Sequence, residues 1–231
     1  MGIQKISAKI TEINELCHDT KSFILLPEKP IAYKAGQFVM LNIPNKDTFV
    51  RRAYSIANRS VNKIEICLNY IPLGKASHYL FSLKGGEALM IDGPYGIFKL
   101  RQSSNDKLFI CTGTGVAPLR AMIQELMEKS AKEQLTLIFG ERTERELLYR
   151  KEFEALQRKH KNFRYVPTLS RENEKWKGER GYVQAVVQKY IKQPEKTEAY
   201  ICGMKEMVDD AKAVLLQLGV PKDNIMTEKF G

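Results

Sequence analysis

The period of the apolar pattern changes once along this chain, near residue 100, and that change limits the folds open to it. Before it come short runs rich in Ile, Val, Phe and Tyr: SAKITEINEL, TKSFILL, GQFVMLNI, RRAYSIA, KIEICLNYI and EALMIDG. Gly, Pro and Asn separate them, and only SHYLFSL reads as helix. About six such runs predict a small antiparallel barrel. After the polar segment RQSSNDK, strands alternate with helices. KLFICT leads to VAPLRAMIQELMEKS, LTLIFG to ERELLYRKEFEALQRKH, FRYVPTLS through a loop to GYVQAVVQKYI, and EAYICG to MKEMVDDAKAVLLQLG, with NIMTEKF last. Repeated strand–helix units predict a parallel sheet with helices on both faces. The expected organisation is an antiparallel six-stranded β-barrel over 1–100, a linker at 101–107 and an α/β parallel-sheet, Rossmann-like domain over 108–231.

With 43% hydrophobic residues in 231, the chain can bury a core in each half. No apolar run approaches the roughly 18 residues of a spanning helix. The start, MGIQKISAKI, lacks a signal-peptide pattern, and Ile6 fills the position where myristoylation of Gly2 needs Ser or Thr. The expectation is a soluble, cytoplasmic protein without membrane insertion. Cys17, Cys67, Cys111 and Cys202 are scattered with no CxxC, so no zinc or iron–sulfur site is expected. Cys67 and Cys111 lie in apolar runs and read as buried thiols. The formal charge is +10, but its lysines are spread and mixed with acids. That distribution argues against nucleic acid and for an acidic partner protein.

In open parallel sheets, ligands bind at the carboxyl ends of the strands. Four junctions lie there. CTGTGVAP, 111–118, offers Gly113 and Gly115 for close backbone approach and Pro118 near a helix start, a natural anion site. FGERTERELLY carries Arg142, and TLSRENEKWKGERGY carries Ser170, Arg171 and Arg180. Arginines from successive loops can surround one phosphate. ICGMKEM places Cys202 at a strand end, a functional location rather than a core one, and opens its turn with Gly203 and Met204. In the first half, YIPLGKASHYL sets Gly74 before Lys75, Ala76 and Ser77 at a helix start, where free N–H groups suit a diphosphate. Finally, RRAYSIAN mixes charge, phenol and aliphatic groups: alternation puts Arg52, Tyr54 and Ile56 on one face, which reads as a binding face rather than core. Arg51 reads as surface charge.

Taken in order, these pieces resemble the ferredoxin–NADP reductase superfamily over nearly the whole chain. The motifs are Arg52-Ala53-Tyr54-Ser55, Gly74-Lys75-Ala76-Ser77, Gly93-Pro94-Tyr95-Gly96-Ile97-Phe98, Gly113-Thr114-Gly115 through Pro118, Cys202-Gly203 and Glu228-Lys229-Phe230. The resemblance implies an FAD-binding barrel followed by a pyridine-nucleotide domain. It implies that Arg52 pairs with the flavin phosphate, Tyr54 packs on the isoalloxazine, Ser55 reaches flavin N5, and the N–H groups of residues 75–77 bind the diphosphate. Phe230 would cover the other ring face, with Cys202 and Glu228 beside the nicotinamide; Ser55, Cys202 and Glu228 are the expected catalytic residues. Hydride would pass between NAD(P)H and FAD, and electrons would go on to a separate acceptor such as ferredoxin or flavodoxin.

Ser170-Arg171 with Arg142 and Arg180 favours NADPH, while Glu141 and Glu172 leave NADH open. Asn69, where many relatives carry a basic residue, leaves FMN open beside the favoured FAD. No Cys-x4-Cys-x2-Cys segment is present, so an iron–sulfur partner is expected to be a separate protein. The alternatives are an NADH-dependent cytochrome b5-type, free-flavin or ferric reductase, or a non-catalytic electron-transfer subunit of a larger oxidoreductase.

Overall fold

A computed structural model describes residues 3–45, 48–60, 62–171 and 174–230. Gly2, Glu172 and Gly231 lie outside the described residues. The chain forms two compact units, Met1–Leu100 with Arg120–Leu126, and Arg101–Leu119 with Met127–Gly231.

The first unit is a six-stranded antiparallel sheet. Its strands are β1 (Gln4–Cys17), β2 (Thr20–Pro27), β3 (Phe38–Asn45), β4 (Thr48–Ser55), β5 (Ile64–Asn69) and β6 (Ala88–Tyr95), in the order β4-β3-β6-β1-β2-β5. Alternate residues Ile6, Ala8 and Ile10 of β1, Val39, Leu41 and Ile43 of β3, and Leu89 and Ile91 of β6 form one core. Each such aliphatic side chain contributes roughly 1.5–3 kcal/mol on burial. The segment just after β4 reaches the opposite end strand: Ala57 N–H donates to Glu65 O at 2.8 Å, and Glu65 N–H to Asn58 Oδ1 at 2.8 Å. The buried Glu65 carboxylate is met by Arg120 at 2.7 Å. Helix α1 (Lys75–Ser82) lies between β5 and β6 in sequence.

The β1–β2 turn brings Cys17, His18 and Asp19 together, with one ligand atom of each within 4.8 Å of the others. The sequence reading passed over this adjacent Cys–His pair. Asp19 Oδ1 accepts from Cys17 Sγ (3.2 Å) and Thr20 Oγ1 (2.9 Å), so the carboxylate closes the hairpin.

The second unit contains β7 (Asp106–Thr112), α2 (Val116–Glu128), β8 (Leu135–Glu141), α3 (Arg150–Lys159), β9 (Phe163–Leu169), β10 (Glu179–Arg180), α4 (Val183–Val186), β11 (Thr197–Met204), α5 (Lys205–Gln217) and β12 (Ile225–Phe230). The sheet is fully parallel, in the order β10-β9-β8-β7-β11-β12. Strand order therefore reverses between β7 and β11, where such sheets bind ligands.

Two local expectations change. The helix expected over ERELLYRKEFEALQRKH is broken before Arg150, because Tyr149 takes φ +53. The loop after β9 contains β10, which pairs Arg180 with Leu169. The segment 101–107 groups with the second unit, and a buried network holds it. Lys107 Nζ lies 3.1 Å from Glu198 and donates to Ser103 Oγ and Asn105 O, while Ser103 Oγ donates to Glu198 Oε1 at 2.6 Å. A buried ion pair persists only when hydrogen bonds satisfy both ions, as here.

Candidate flavin and nucleotide sites

In the first unit, β4 does not present one uniform binding face. Tyr54 and Ile56 pack on the core, while Arg52 between Val50 and Tyr54 is exposed. The mixture reads better as a face that leaves the core part-way than as one that avoids it. Burial pushes the Tyr54 phenol up to about 12, against a lowering effect of Arg52, so the ring stays neutral at physiological pH. Ser55 is buried, and Ala53 is exposed. Arg51 is more than surface charge. It donates to Asp92 Oδ2 at 2.8 Å, an oxygen that also accepts from Asn42 at 3.2 Å.

Gly74 caps α1 with extended backbone and no side-chain cap bond. A Cβ there would lie 2.8 Å from Ser77 Oγ and 2.9 Å from Ile71 Cβ, so the turn has no room for one. Ser77 Oγ accepts from Ile71 N–H (3.0 Å) and lies within donating distance of the Ile71 and Gly74 carbonyls (3.0 and 2.9 Å). The hydroxyl closes the turn, and the N–H groups of Lys75, Ala76 and Ser77 remain without helical acceptors. Asn69 is engaged elsewhere, its Oδ1 accepting from Thr20 Oγ1 at 3.3 Å. A neutral ring, an exposed cation and a run of helix-start N–H groups fit a flavin nucleotide.

In the second unit, residues 113–115 form a 3-10 turn leading into α2, with Pro118 buried at its third position. The two glycines serve different ends. Gly113 takes φ +54 with open space around its missing Cβ. At Gly115 a Cβ would lie 2.2 Å from Cys202 O and 2.9 Å from Gly203 Cα, so the close approach is to the chain itself. Gly203, at φ +150, likewise leaves room for Met207 and Thr112. Thr112 Oγ1 beside it is buried without a hydrogen-bond partner among the described residues, which suits a polar ligand group at this strand end.

Cys202 pairs in register with Glu228 of β12 and with Cys111 of β7, and Met204 with Phe230. Cys202 is fully buried at its strand end. Cys67 and Cys111 are buried as expected, and burial, with Glu141 nearby, pushes the Cys111 thiol well up. Met204 is 63% exposed. Glu228 and Phe230 are half-buried.

The arginine-bearing ends of β8, β9 and β10 converge. Ser170 N–H donates to Glu141 O (3.0 Å) and Arg171 N–H to Arg142 O (2.8 Å), while Arg180 lies opposite Leu169. Arg142, Arg171 and Arg180 are all exposed. Arg180 belongs to a clip built on Trp176: the indole N–H donates to Glu179 O (2.8 Å), Arg180 donates back to Trp176 O (3.1 Å), and Arg150 lies over the ring. Sequence reasoning missed two residues here. Tyr182, 68% exposed just after Arg180, was visible in GERGY as an aromatic beside a cation. Trp176 carried no local signal of its packing.

Residues 7–100 match the family model described as oxidoreductase FAD-binding domain, and 109–213 that described as oxidoreductase NAD-binding domain. A ferredoxin–NADP reductase B of Sorangium cellulosum is 33% identical over 240 residues, covering 100% of this chain and 95% of its own. The chain belongs to the ferredoxin–NADP reductase superfamily. Within that superfamily, the phenol hydroxylase P5 protein of Acinetobacter pittii is 33% identical over 99% of this chain and 66% of its own. An Amycolatopsis cytochrome P450 reductase superposes with a TM-score of 0.92 at 25% identity, over 99% of this chain and 70% of its own. The chain thus spans about two thirds of the length of such oxygenase-linked relatives. As a superfamily member with both domains, it is an FAD-dependent NAD(P)H oxidoreductase. Among the described residues, no helix is long and apolar enough to cross a membrane.

Proposed function

We propose that the chain oxidises NADPH and delivers the electrons to a separate acidic acceptor protein, a ferredoxin, a flavodoxin or the oxygenase partner of a multicomponent system. Bound FAD supplies the chemistry, exchanging a hydride with nicotinamide and passing electrons onward. The chain's own residues bind and orient. The barrel, 1–100, takes the flavin: Arg52 neutralises its phosphate, the N–H groups of Lys75, Ala76 and Ser77 hold the diphosphate, Tyr54 packs on the ring system and the Ser55 hydroxyl faces its reactive edge. The domain over 108–231 takes the nucleotide: Thr114 and Gly115 N–H groups face its diphosphate. Glu228, Gly203, Met204 and Phe230 lie towards the nicotinamide, with Cys202 in register beside Glu228.

The observation that carries the preference for NADPH is the convergence of Arg142, Ser170, Arg171 and Arg180 on adjacent strand ends. Planar guanidinium forks bind a phosphate bidentately, and the exposed Tyr182 ring offers the adjoining purine a face. The charge of +10 supports an acidic acceptor, because opposite charge speeds encounter. Relatives named as electron-transfer components of xylene/toluene monooxygenase and anthranilate 1,2-dioxygenase support the class of acceptor. Steady-state kinetics of Arg171→Ala test the reading. kcat/KM should fall about 10–100-fold with NADPH and little with NADH, the loss of one charge-assisted phosphate contact. Equal losses with both nucleotides would sink it.

A further inference from the structure

The Gly113 N–H at the carboxyl end of β7 already has an acceptor. Glu141 Oε1 takes it at 2.9 Å. Glu141 is the last residue of β8, and its own carbonyl accepts the Ser170 N–H at 3.0 Å. One residue thus ties the glycine turn through its side chain and the Ser170–Arg171 loop through its main chain. Its charge matches the turn but opposes an anionic ligand, because the N–H groups of a helix start favour anions and the carboxylate already occupies part of that ground. Val116 N–H is taken by the Gly113 and Thr114 carbonyls, so helix geometry leaves the N–H groups of Thr114 and Gly115 for a ligand. A diphosphate held there lies next to the Glu141 carboxylate. A neutral glutamine would accept the Gly113 N–H equally well, so ordering the turn does not by itself require the charge.

We infer that Glu141 sets the affinity of the nucleotide site. Its carboxylate orders the turn through Gly113 and, as a fixed like charge beside the diphosphate, keeps binding weak enough for oxidised nucleotide to exchange readily for reduced. The inference rests on the proposed placing of the dinucleotide on this turn. It differs from the role of Arg171, since the diphosphate is common to NADPH and NADH.

Equilibrium dialysis of the FAD-loaded protein with NADP+ and with NAD+ tests it. Glu141→Gln should tighten both nucleotides about three- to tenfold at low ionic strength, as expected for removing one nearby like charge. The gap should narrow in high salt. Unchanged or weaker binding by Glu141→Gln at low salt overturns the inference. Thr114→Asp separates this failure from failure of the placing. If the diphosphate lies on the turn, a new anion there weakens both nucleotides whatever Glu141 does. If Thr114→Asp binds as the wild type, the placing itself falls, and this inference with it.

Discussion

The Gly74 turn and the Gly113–Gly115 turn both present main-chain N–H groups at a helix start, and they are held by opposite means. At Gly74 a neutral hydroxyl from the helix's own first turn does the closing: Ser77 lies three residues on and bonds back to Ile71. At Gly113 a carboxylate reaches across from the next strand, and Gly115 is pressed against the backbone of a strand almost ninety positions later, as the Cys202 contact implies. One turn is held by its neighbours in sequence, the other by the topology of a parallel sheet at its switch point. The first should tolerate damage locally, and the second should transmit it to the sheet.

The largest test of that contrast is Gly115→Ala. Its Cβ would meet the Cys202 carbonyl at 2.2 Å, and backbone cannot step aside as a side chain can. We expect a loss of about 3 kcal/mol in the stability of the second unit, read from its denaturant midpoint, with flavin retained. A midpoint like the wild type's would mean that β7 and β11 do not pack as described. Gly74→Ala should do less, about 2 kcal/mol, since Ser77 Oγ at 2.8 Å can rotate away although Ile71 Cβ at 2.9 Å cannot. Its signature should be weakened FAD retention in ultrafiltration, and full retention would argue against the α1 N–H groups as the diphosphate cradle. Smallest is Gly113→Ala. Nothing lies within 4 Å of the added methyl, so only the positive φ is strained, at about 1 kcal/mol. A loss as large as that of Gly115→Ala would reveal crowding that the geometry does not contain.

The same contrast explains how far the sequence could be read. Elements with their own period or punctuation were legible: the six barrel strands, the parallel strands and the Gly74 helix start. So were the motifs that gave the family. What depends on a partner far along the chain was not. β10 is two residues long and exists because β9 offers it an edge. Tyr149 breaks a helix that its local pattern would continue. Arg51 looked idle until β6 brought Asp92 to it. Lys107 looked like linker charge until β11 supplied Glu198.

The Trp176 clip has an optical consequence. Trp176 is the chain's one tryptophan, and its indole is held by Glu179 and covered by Arg150. Excited at the red edge of its absorption, where the ten tyrosines are silent, the protein has a single aromatic emitter. That emitter is hydrogen-bonded into the segment that presents Arg180, so a spectral shift on adding an adenosine phosphate reports rearrangement of that arm of the nucleotide domain.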